Sequence, residues 1–228
     1  MNKQKPVARP DNAYFSSGPC AKYPTFSTNN LRTAAIGRSH RANVGKRKLK
    51  ELIDSIKEIL EIPTDYKVGI VPASDTGAVE MAMWSLLGAR RTTMVAWESF
   101  GKDWINDVVN ELKIKPEIIT ADYGHIVDMS SVDYDNDVVF TWNGTTSGVC
   151  MQSGEDIPVK RKGLTICDAT SGIFAMDIDY SKLDVITWSW QKVLGAEAAH
   201  GMLALSPRAV ERLETHCLLY TSPSPRDS

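Results

Sequence analysis

The sequence predicts an α/β domain whose central sheet is mostly parallel and covered by helices on both faces. Short apolar segments alternate along the chain with amphipathic helical segments, which is the pattern of strands joined by helical crossovers. The 228 residues are 43% hydrophobic, so the chain can bury a substantial core. Its 26 basic and 28 acidic residues are interspersed, and this balance gives no basic surface of the kind that binds nucleic acid.

Four helices and seven strands account for most of the chain. The first helix is predicted over 46–60, because Leu49, Leu52 and Ile56 recur at spacings of three and four and Pro63 follows its end. The other helices are predicted over 77–87, 101–112 and 207–214. The seven strands are predicted over 68–73, 92–97, 117–120, 138–142, 164–167, 185–188 and 201–205.

The two ends of the chain differ from this pattern. Residues 1–13 are polar and contain proline, so we expect a loose arm before a domain that extends over 14–216. Residues 217–228 resemble a transposase sequencing adapter translated in one reading frame, and we interpret them as an assembly artefact. The alternative is a genuine disordered tail. On the first interpretation the natural protein continues beyond His216.

The chain shows no targeting or metal-binding pattern. The first residues have no apolar signal segment, and no apolar run is long enough to span a bilayer, so we expect a cytoplasmic protein. The four cysteines form no C-x-x-C pair and have no metal-ligand spacing with the four histidines. We therefore expect reduced thiols and no metal site.

Three predicted strands end in residues that can carry chemistry. Ser74-Asp75-Thr76-Gly77 follows the first strand at a helix start, where hydroxyls and backbone N–H groups form a seat for a phosphate or carboxylate. Asp168 follows the strand over 164–167, and Lys192 comes shortly after the next strand. Carboxyl ends of parallel strands meet at one sheet edge, where ligands bind, so these groups are expected to lie together.

A lysine amine, a carboxylate and a phosphate seat are the three groups that pyridoxal 5′-phosphate requires. The lysine forms a Schiff base with the cofactor, and the carboxylate keeps the pyridine nitrogen protonated so that the ring withdraws electrons. Each group also has an ordinary structural explanation. The helix start could be a plain N-cap, Asp168 an Asx turn and Lys192 a solvated surface charge, so the prediction depends on their combination.

These residues stand within motifs that resemble the phosphoserine aminotransferase family, which are fold-type I pyridoxal-phosphate enzymes. The resemblance extends from about Tyr14 to about Glu214 and is specific in its combination and order. The matching segments are Phe15-Ser-Ser-Gly-Pro19, Ser39-His-Arg41, Asp75-Thr-Gly77, Asn143-Gly-Thr-Thr146, Asp168-Ala-Thr-Ser171 and Gln191-Lys192.

The resemblance implies a role for each matched residue. Lys192 is the Schiff-base lysine and Asp168 pairs with the pyridine nitrogen. The cofactor phosphate is held by Ser74, Asp75, Thr76 and Gln191, Phe100 stacks on the pyridine ring, and Thr145 lies near the 3′ oxygen. His40 and Arg41 meet the phosphate of the substrate, for which an arginine fork is well suited.

The implied reaction makes phosphoserine from 3-phosphohydroxypyruvate and glutamate, with 2-oxoglutarate as the other product, in serine biosynthesis by a homodimer. From the resemblance we expect that this sequence lacks the family's small C-terminal domain. We then also expect it to lack the arginine that binds the α-carboxylate and the Asn/Thr pair that a neighbouring subunit lends to the cofactor phosphate. The alternatives are another fold-type I enzyme, such as a serine or alanine aminotransferase, and an inactive pyridoxal-phosphate-binding fragment.

Overall fold

The computed structural model describes residues 22–216 together with Ala8. The predicted N-terminal arm, apart from Ala8, lies outside the described residues. So do the motif Phe15-Ser-Ser-Gly-Pro19 and the adapter-like tail over 217–228.

A seven-stranded sheet forms the centre of the molecule, in the order β1-β9-β8-β7-β4-β2-β3. A small two-stranded ladder, β5 with β6, lies beside it and is not among the predicted strands. The strands are β1 Lys67–Pro72, β2 Thr92–Ala96, β3 Glu117–Thr120, β4 Asp137–Thr141, β5 Asn143–Gly144, β6 Val149–Cys150, β7 Thr165–Asp168, β8 Val185–Ser189 and β9 His200–Leu205.

Four α-helices pack around this sheet. They are α1 Asn43–Ile59, α2 Ser74–Leu86, α3 Ser99–Asn106 and α4 Pro207–Thr215. Short 3-10 turns occupy Thr28–Thr33, Met129–Ser131 and Tyr180–Lys182. The predicted third helix is shorter than expected, because its second half is a π-helical turn over Asp107–Glu111.

All the strands of the sheet except β9 run in one direction. β2, β3, β4, β7 and β8 pair in parallel, and β9 is antiparallel to both of its neighbours, β8 and β1. β1 therefore points the same way as the parallel strands. The predicted mostly parallel sheet is confirmed, and the carboxyl ends of β1, β2, β4, β7 and β8 share one edge.

The sheet separates two hydrophobic cores, because successive side chains of a strand point to opposite faces. On β4, Val138 and Phe140 pack with α1 residue Ile56 in one core. Val139 packs into the other core, which includes Trp104 of α3 and Ala209 of α4. Both faces of the sheet are thus covered, which explains why β2, β4 and β8 are buried along their whole length.

Two buried aspartates at the amino ends of strands anchor the C-terminal helix. Asp137 at the start of β4 is fully buried and pairs with Arg212 of α4 at 2.8 Å. Asp184, just before β8, pairs with Arg161 at 2.8 Å and with Arg208 of α4 at 3.0 Å. These ion pairs lie at the opposite edge from the predicted site, so they stabilise the domain and leave the carboxyl edge to the ligand.

The described part of the chain contains neither a membrane-spanning helix nor a metal cluster. No helix between 22 and 216 is long and apolar enough to cross a membrane. Over the same range, no group of three or more His, Cys, Asp or Glu side chains is arranged to hold a metal ion.

Candidate active site

Eight of the ten predicted site residues line a single pocket at the carboxyl edge of the sheet. Five segments contribute to it: the first turn of α2, the start of α3, the β5–β6 turn, the end of β7 and the turn after β8. These residues are Ser74, Asp75, Thr76, Phe100, Thr145, Asp168, Gln191 and Lys192. The parallel direction of the strands brings together groups that are up to 118 positions apart, the separation of Ser74 and Lys192.

The other two predicted residues, His40 and Arg41, do not line this pocket. Both are exposed in the turn before α1, where the backbone N–H of Arg41 donates to Ser39 Oγ at 3.1 Å. Their proposed contact with a substrate phosphate therefore remains a prediction.

The backbone at the start of α2 is held in an unusual shape. Ala73 and Ser74 both lie in the left-handed region, with φ of 64° and 57°, although neither is glycine. Such a conformation costs on the order of 1 kcal/mol or more per residue and is typical of ligand-binding turns. α2 begins at Ser74, earlier than predicted, and its first three residues, Ser74, Asp75 and Thr76, line the pocket with N–H groups for which a helix provides no acceptor.

A hydrogen bond ties this turn to the segment that carries the lysine. Gln191 Nε2 donates to Ser74 Oγ at 2.9 Å, across 117 positions of sequence. Lys192 is the next residue and is half-buried. The anion-binding turn at Ser74 is therefore held in a fixed position relative to the segment that carries the Lys192 amine.

Asp168 is fixed by two donors. The indole Nε1 of Trp104 donates to Asp168 Oδ2 at 3.2 Å, and the backbone N–H of Thr170 donates to Oδ1 at 3.0 Å. The two hydrogen bonds fix the orientation of the side chain, so that its carboxyl oxygens can accept a hydrogen bond from a protonated ring nitrogen.

A second carboxyl group lies against Asp168. Asp75 is only 7% exposed. Burial, followed by the charge of Asp168, raises the pKa of the Asp75 carboxyl well above its usual value, although the hydroxyls of Thr170 and Thr187 act in the opposite direction. The assignment of Asp75 to the cofactor phosphate remains a prediction, and its carboxyl group lies close enough to Asp168 to interact with it.

Glu98 connects the two segments that present the aromatic ring and the threonine. Its fully buried carboxylate accepts from Gly101 N at 2.7 Å at the start of α3 and from Thr146 Oγ1 at 3.2 Å. Thr145 Oγ1 in turn donates to Ser171 Oγ at 2.9 Å. Phe100 and Thr145 therefore reach the pocket from segments that are joined to each other.

Five further residues line the pocket without having been predicted: Trp104, Thr141, Asn143, Thr170 and Ser171. Three of them lie inside motifs that the sequence singles out, so attention to every polar residue in those motifs could have found them. The apolar periodicity of α3 accounts for Trp104 only as part of a helix face. Periodicity gives no sign that a buried indole also directs its N–H toward a carboxylate.

The fold defines the class: it is that of the large domain of pyridoxal-phosphate-dependent transferases. A phosphoserine aminotransferase of Cytophaga hutchinsonii superposes with a TM-score of 0.77 at 27% identity, over 93% of this chain and 59% of that one. The pyridoxal-phosphate-bound phosphoserine aminotransferase of Trichomonas vaginalis has a TM-score of 0.69 at 17% identity, over 87% of this chain and 62% of its own. The second similarity supports the fold alone.

Within that class the chain is a homologue of the phosphoserine aminotransferases. It is 57% identical over 220 residues to the phosphoserine aminotransferase of Methanosarcina barkeri, a match that takes in 96% of this chain. The chain spans 60% of the length of that relative. No family model matches the sequence.

Proposed function

We propose that this chain is the cofactor-binding part of a phosphoserine aminotransferase, which makes phosphoserine and 2-oxoglutarate from 3-phosphohydroxypyruvate and glutamate in serine biosynthesis. The observation that carries the proposal is the convergence of Asp168, Lys192 and the Ser74 turn on one pocket. The homology to phosphoserine aminotransferases supports the choice of substrate.

The pocket fits pyridoxal 5′-phosphate. Among the described residues, the buried atoms Thr141 Oγ1 and Thr170 Oγ1 have no hydrogen-bond partner, and both residues line the pocket. Buried polar groups are normally satisfied, so these atoms indicate a polar ligand. The left-handed turn at Ala73 and Ser74 adds a site for an anion at the start of a helix.

In this proposal Ser74, Asp75, Thr76 and Gln191 would hold the cofactor phosphate, Asp75 through its backbone, and Asp168 would pair with the pyridine nitrogen. Phe100 would stack on the ring and Thr145 would lie near the 3′ oxygen. When bound, pyridoxal phosphate supplies an aldehyde that takes up the amino group and a protonated ring that withdraws electrons from the substrate Cα.

The chain's own residues then position the reactants and move the proton. Lys192 would hold the cofactor through its amine, and Nζ would move the proton to and from the substrate Cα. Trp104 keeps Asp168 oriented through the hydrogen bond to Oδ2. Such positioning accounts for a large part of catalysis by enzymes of this kind.

We further propose a cytoplasmic homodimer. Cys150 and Cys167 are free thiols, which suits a reducing compartment. The dimer is proposed from the family resemblance.

The first experiment measures cofactor binding. Adding pyridoxal phosphate to the purified protein should give the visible absorption band of a lysine adduct, and Lys192→Ala should abolish it. Lys102→Ala is the matched control, because Lys102 is an exposed lysine on α3 whose ammonium lies over the Tyr123 ring. A band that persists in Lys192→Ala would show that another amine binds the cofactor.

The second measurement tests the reaction. Adding glutamate should remove the visible absorption band of the lysine adduct, and adding 3-phosphohydroxypyruvate should then restore it. If the band forms but 3-phosphohydroxypyruvate fails to restore it, the substrate assignment is wrong. Restoration by a non-phosphorylated 2-oxo acid would then indicate another aminotransferase, and no conversion at all would indicate a cofactor-binding chain without activity.

A further inference from the structure

Asp75 differs from the other buried carboxyl groups of the described residues. Asp137 and Asp184 pair with arginines, and Glu98 accepts from Gly101 N and Thr146 Oγ1. Asp75 is 7% exposed, yet its Oδ1 has no hydrogen-bond partner between residues 22 and 216. A buried carboxylate oxygen without a donor is costly, so the ionisation state of this group requires an explanation.

The groups around Asp75 come from three elements. Asp168 and Cys167 belong to β7 and Thr187 to β8, while Thr170 lies in the turn after β7. Lys192 lines the same pocket from the turn after β8. The strongest influences on the Asp75 carboxyl are its burial and the negative charge of Asp168, and both raise its pKa.

Two carboxyl groups in contact within a buried site do not both ionise readily, so they hold one proton between them. The donors decide where it lies. Both oxygens of Asp168 already accept hydrogen bonds, Oδ2 from Trp104 Nε1 and Oδ1 from Thr170 N. Oδ1 of Asp75 has no donor, and the Thr170 and Thr187 hydroxyls lower the pKa of Asp75 less than burial and Asp168 raise it, so the proton belongs on Asp75.

We propose that Asp75 is a positioning residue that keeps its proton at neutral pH and donates it in a hydrogen bond to Asp168. The pocket then holds one carboxylate instead of two. The consequence for the cofactor rests on the proposed function: Asp168 stays ionised for the pyridine nitrogen, while the first turn of α2 carries no negative charge that would repel a phosphate.

The first test needs no cofactor and compares thermal unfolding of wild type and Asp75→Asn from pH 4 to pH 9. An unfolded aspartate has a pKa near 3.9, and the folded pKa of Asp75 is higher. The folded state therefore binds this proton more tightly, so the wild type loses stability as the pH rises from about 4 through the folded pKa. The carboxamide of the variant does not titrate, so the Tm of Asp75→Asn should rise relative to wild type as the pH increases.

Asp135→Asn is the matched control, because the pKa of Asp135 is shifted in the direction opposite to that of Asp75. Asp135 is exposed, and its hydrogen bond with Lys162 lowers its pKa. Wild type should therefore gain stability relative to Asp135→Asn only below about pH 4, where the folded and unfolded pKa values lie, and the difference in Tm should stay nearly constant from pH 5 to pH 9. The proposal is overturned if the difference in Tm between Asp75→Asn and wild type is constant with pH or follows the same pH dependence as the control. Either result would show that Asp75 is ionised.

A direct measurement covers the case in which Asp75→Asn does not fold. Infrared spectra of wild-type protein labelled with ¹³C-carboxyl aspartate should contain a protonated carboxyl stretching band at neutral pH. The band should disappear on raising the pH. Its absence at neutral pH would contradict the proposal without any variant.

A third experiment measures the Kd of the protein for pyridoxal phosphate. Asp75→Ala removes the donor to Asp168, whereas Asp75→Asn keeps an N–H donor, so the Kd of the alanine variant should exceed that of the asparagine variant about tenfold. Equal Kd values would contradict the positioning role. If neither the wild type nor any variant binds the cofactor, the proposed function is wrong. The unfolding and infrared measurements still decide whether Asp75 is protonated.

Discussion

Gly201, at the start of β9, shows how a single residue shapes the candidate site. A Cβ at this position would lie 2.1 Å from the carbonyl oxygen of Ser74, which is far inside van der Waals contact. The close approach is to backbone, which cannot rotate away as a flexible side chain can. The missing side chain of Gly201 therefore allows the left-handed turn at Ala73 and Ser74 to pack against β9.

We predict that Gly201→Ala destabilises the protein and weakens its phosphate seat. The added methyl group must displace the Ser74 turn, so overpacking should lower the free energy of unfolding by about 1–3 kcal/mol. The Kd for pyridoxal phosphate should rise in the same variant. Urea unfolding and absorption titration measure the two effects.

Gly69 of β1 provides the control on a neighbouring strand. It pairs with Leu203 of β9, and a Cβ there would meet nothing within 4 Å. Gly69→Ala should leave cofactor binding unchanged and be neutral or stabilising by up to about 1 kcal/mol. Equal effects of the two substitutions would show that replacing any strand glycine by alanine has this effect. Contact with Ser74 would then not be its cause.

At the level of elements, α4 is held to the sheet through ion pairs at its polar face. Arg212 Nη1 donates to Asp137 Oδ2 at 2.8 Å and to the Leu86 carbonyl at 3.0 Å, so it joins α4, β4 and the end of α2. Asp137 also accepts from Leu164 N at 2.8 Å. The carboxylate is fully buried, and Arg212 supplies its positive partner.

We predict that Arg212→Ala lowers the free energy of unfolding by about 3–5 kcal/mol, because it leaves the Asp137 carboxylate buried without its cation. Chemical denaturation measures this loss. The double variant Arg212→Ala/Asp137→Asn should recover part of it, since the buried charge is then removed.

An exposed ion pair on α1 serves as the comparison. Arg47 and Glu51 are one helical turn apart, with Arg47 Nε 3.5 Å from Glu51 Oε1 and both side chains more than 60% exposed. Arg47→Ala should cost less than about 1 kcal/mol. A loss of similar size in both variants would show that burial of the charge does not determine the effect.

At the scale of the whole molecule, the pocket is assembled from both halves of the described chain, while the predicted substrate-phosphate residues lie apart from it. His40 and Arg41 are exposed and belong to the segment that leads into α1. The cofactor pocket can therefore be tested separately from recognition of the substrate.

We predict that Arg41→Ala raises the KM for 3-phosphohydroxypyruvate about tenfold or more and changes the KM for glutamate much less. The reason is that a guanidinium binds a phosphate through charge-assisted hydrogen bonds, whereas glutamate carries no phosphate. Arg38→Ala, at an exposed arginine of the same segment, is the control. Equal effects on both substrates would contradict a specific role for Arg41.

Much of the fold follows from the sequence alone, because apolar periodicity reflects burial on one or both faces of an element. The predicted strands agree with the observed ones to within one residue, as for β3 at Glu117–Thr120. The boundaries that differ have local causes. α2 begins three residues early, directly after the left-handed Ala73, and the turn at Asp107–Glu111 is π-helical.

The sequence by itself determined the alternating α/β pattern and the order of the motifs, since both depend on residue type and spacing. Only the tertiary structure decided which groups touch. Strand order and direction bring Asp168, Lys192 and Ser74 to one edge, and they also place Asp75 and Trp104 against Asp168. Contacts between residues 64 and 93 positions apart have no periodic signal in the chain, because they arise when separate strands pack side by side.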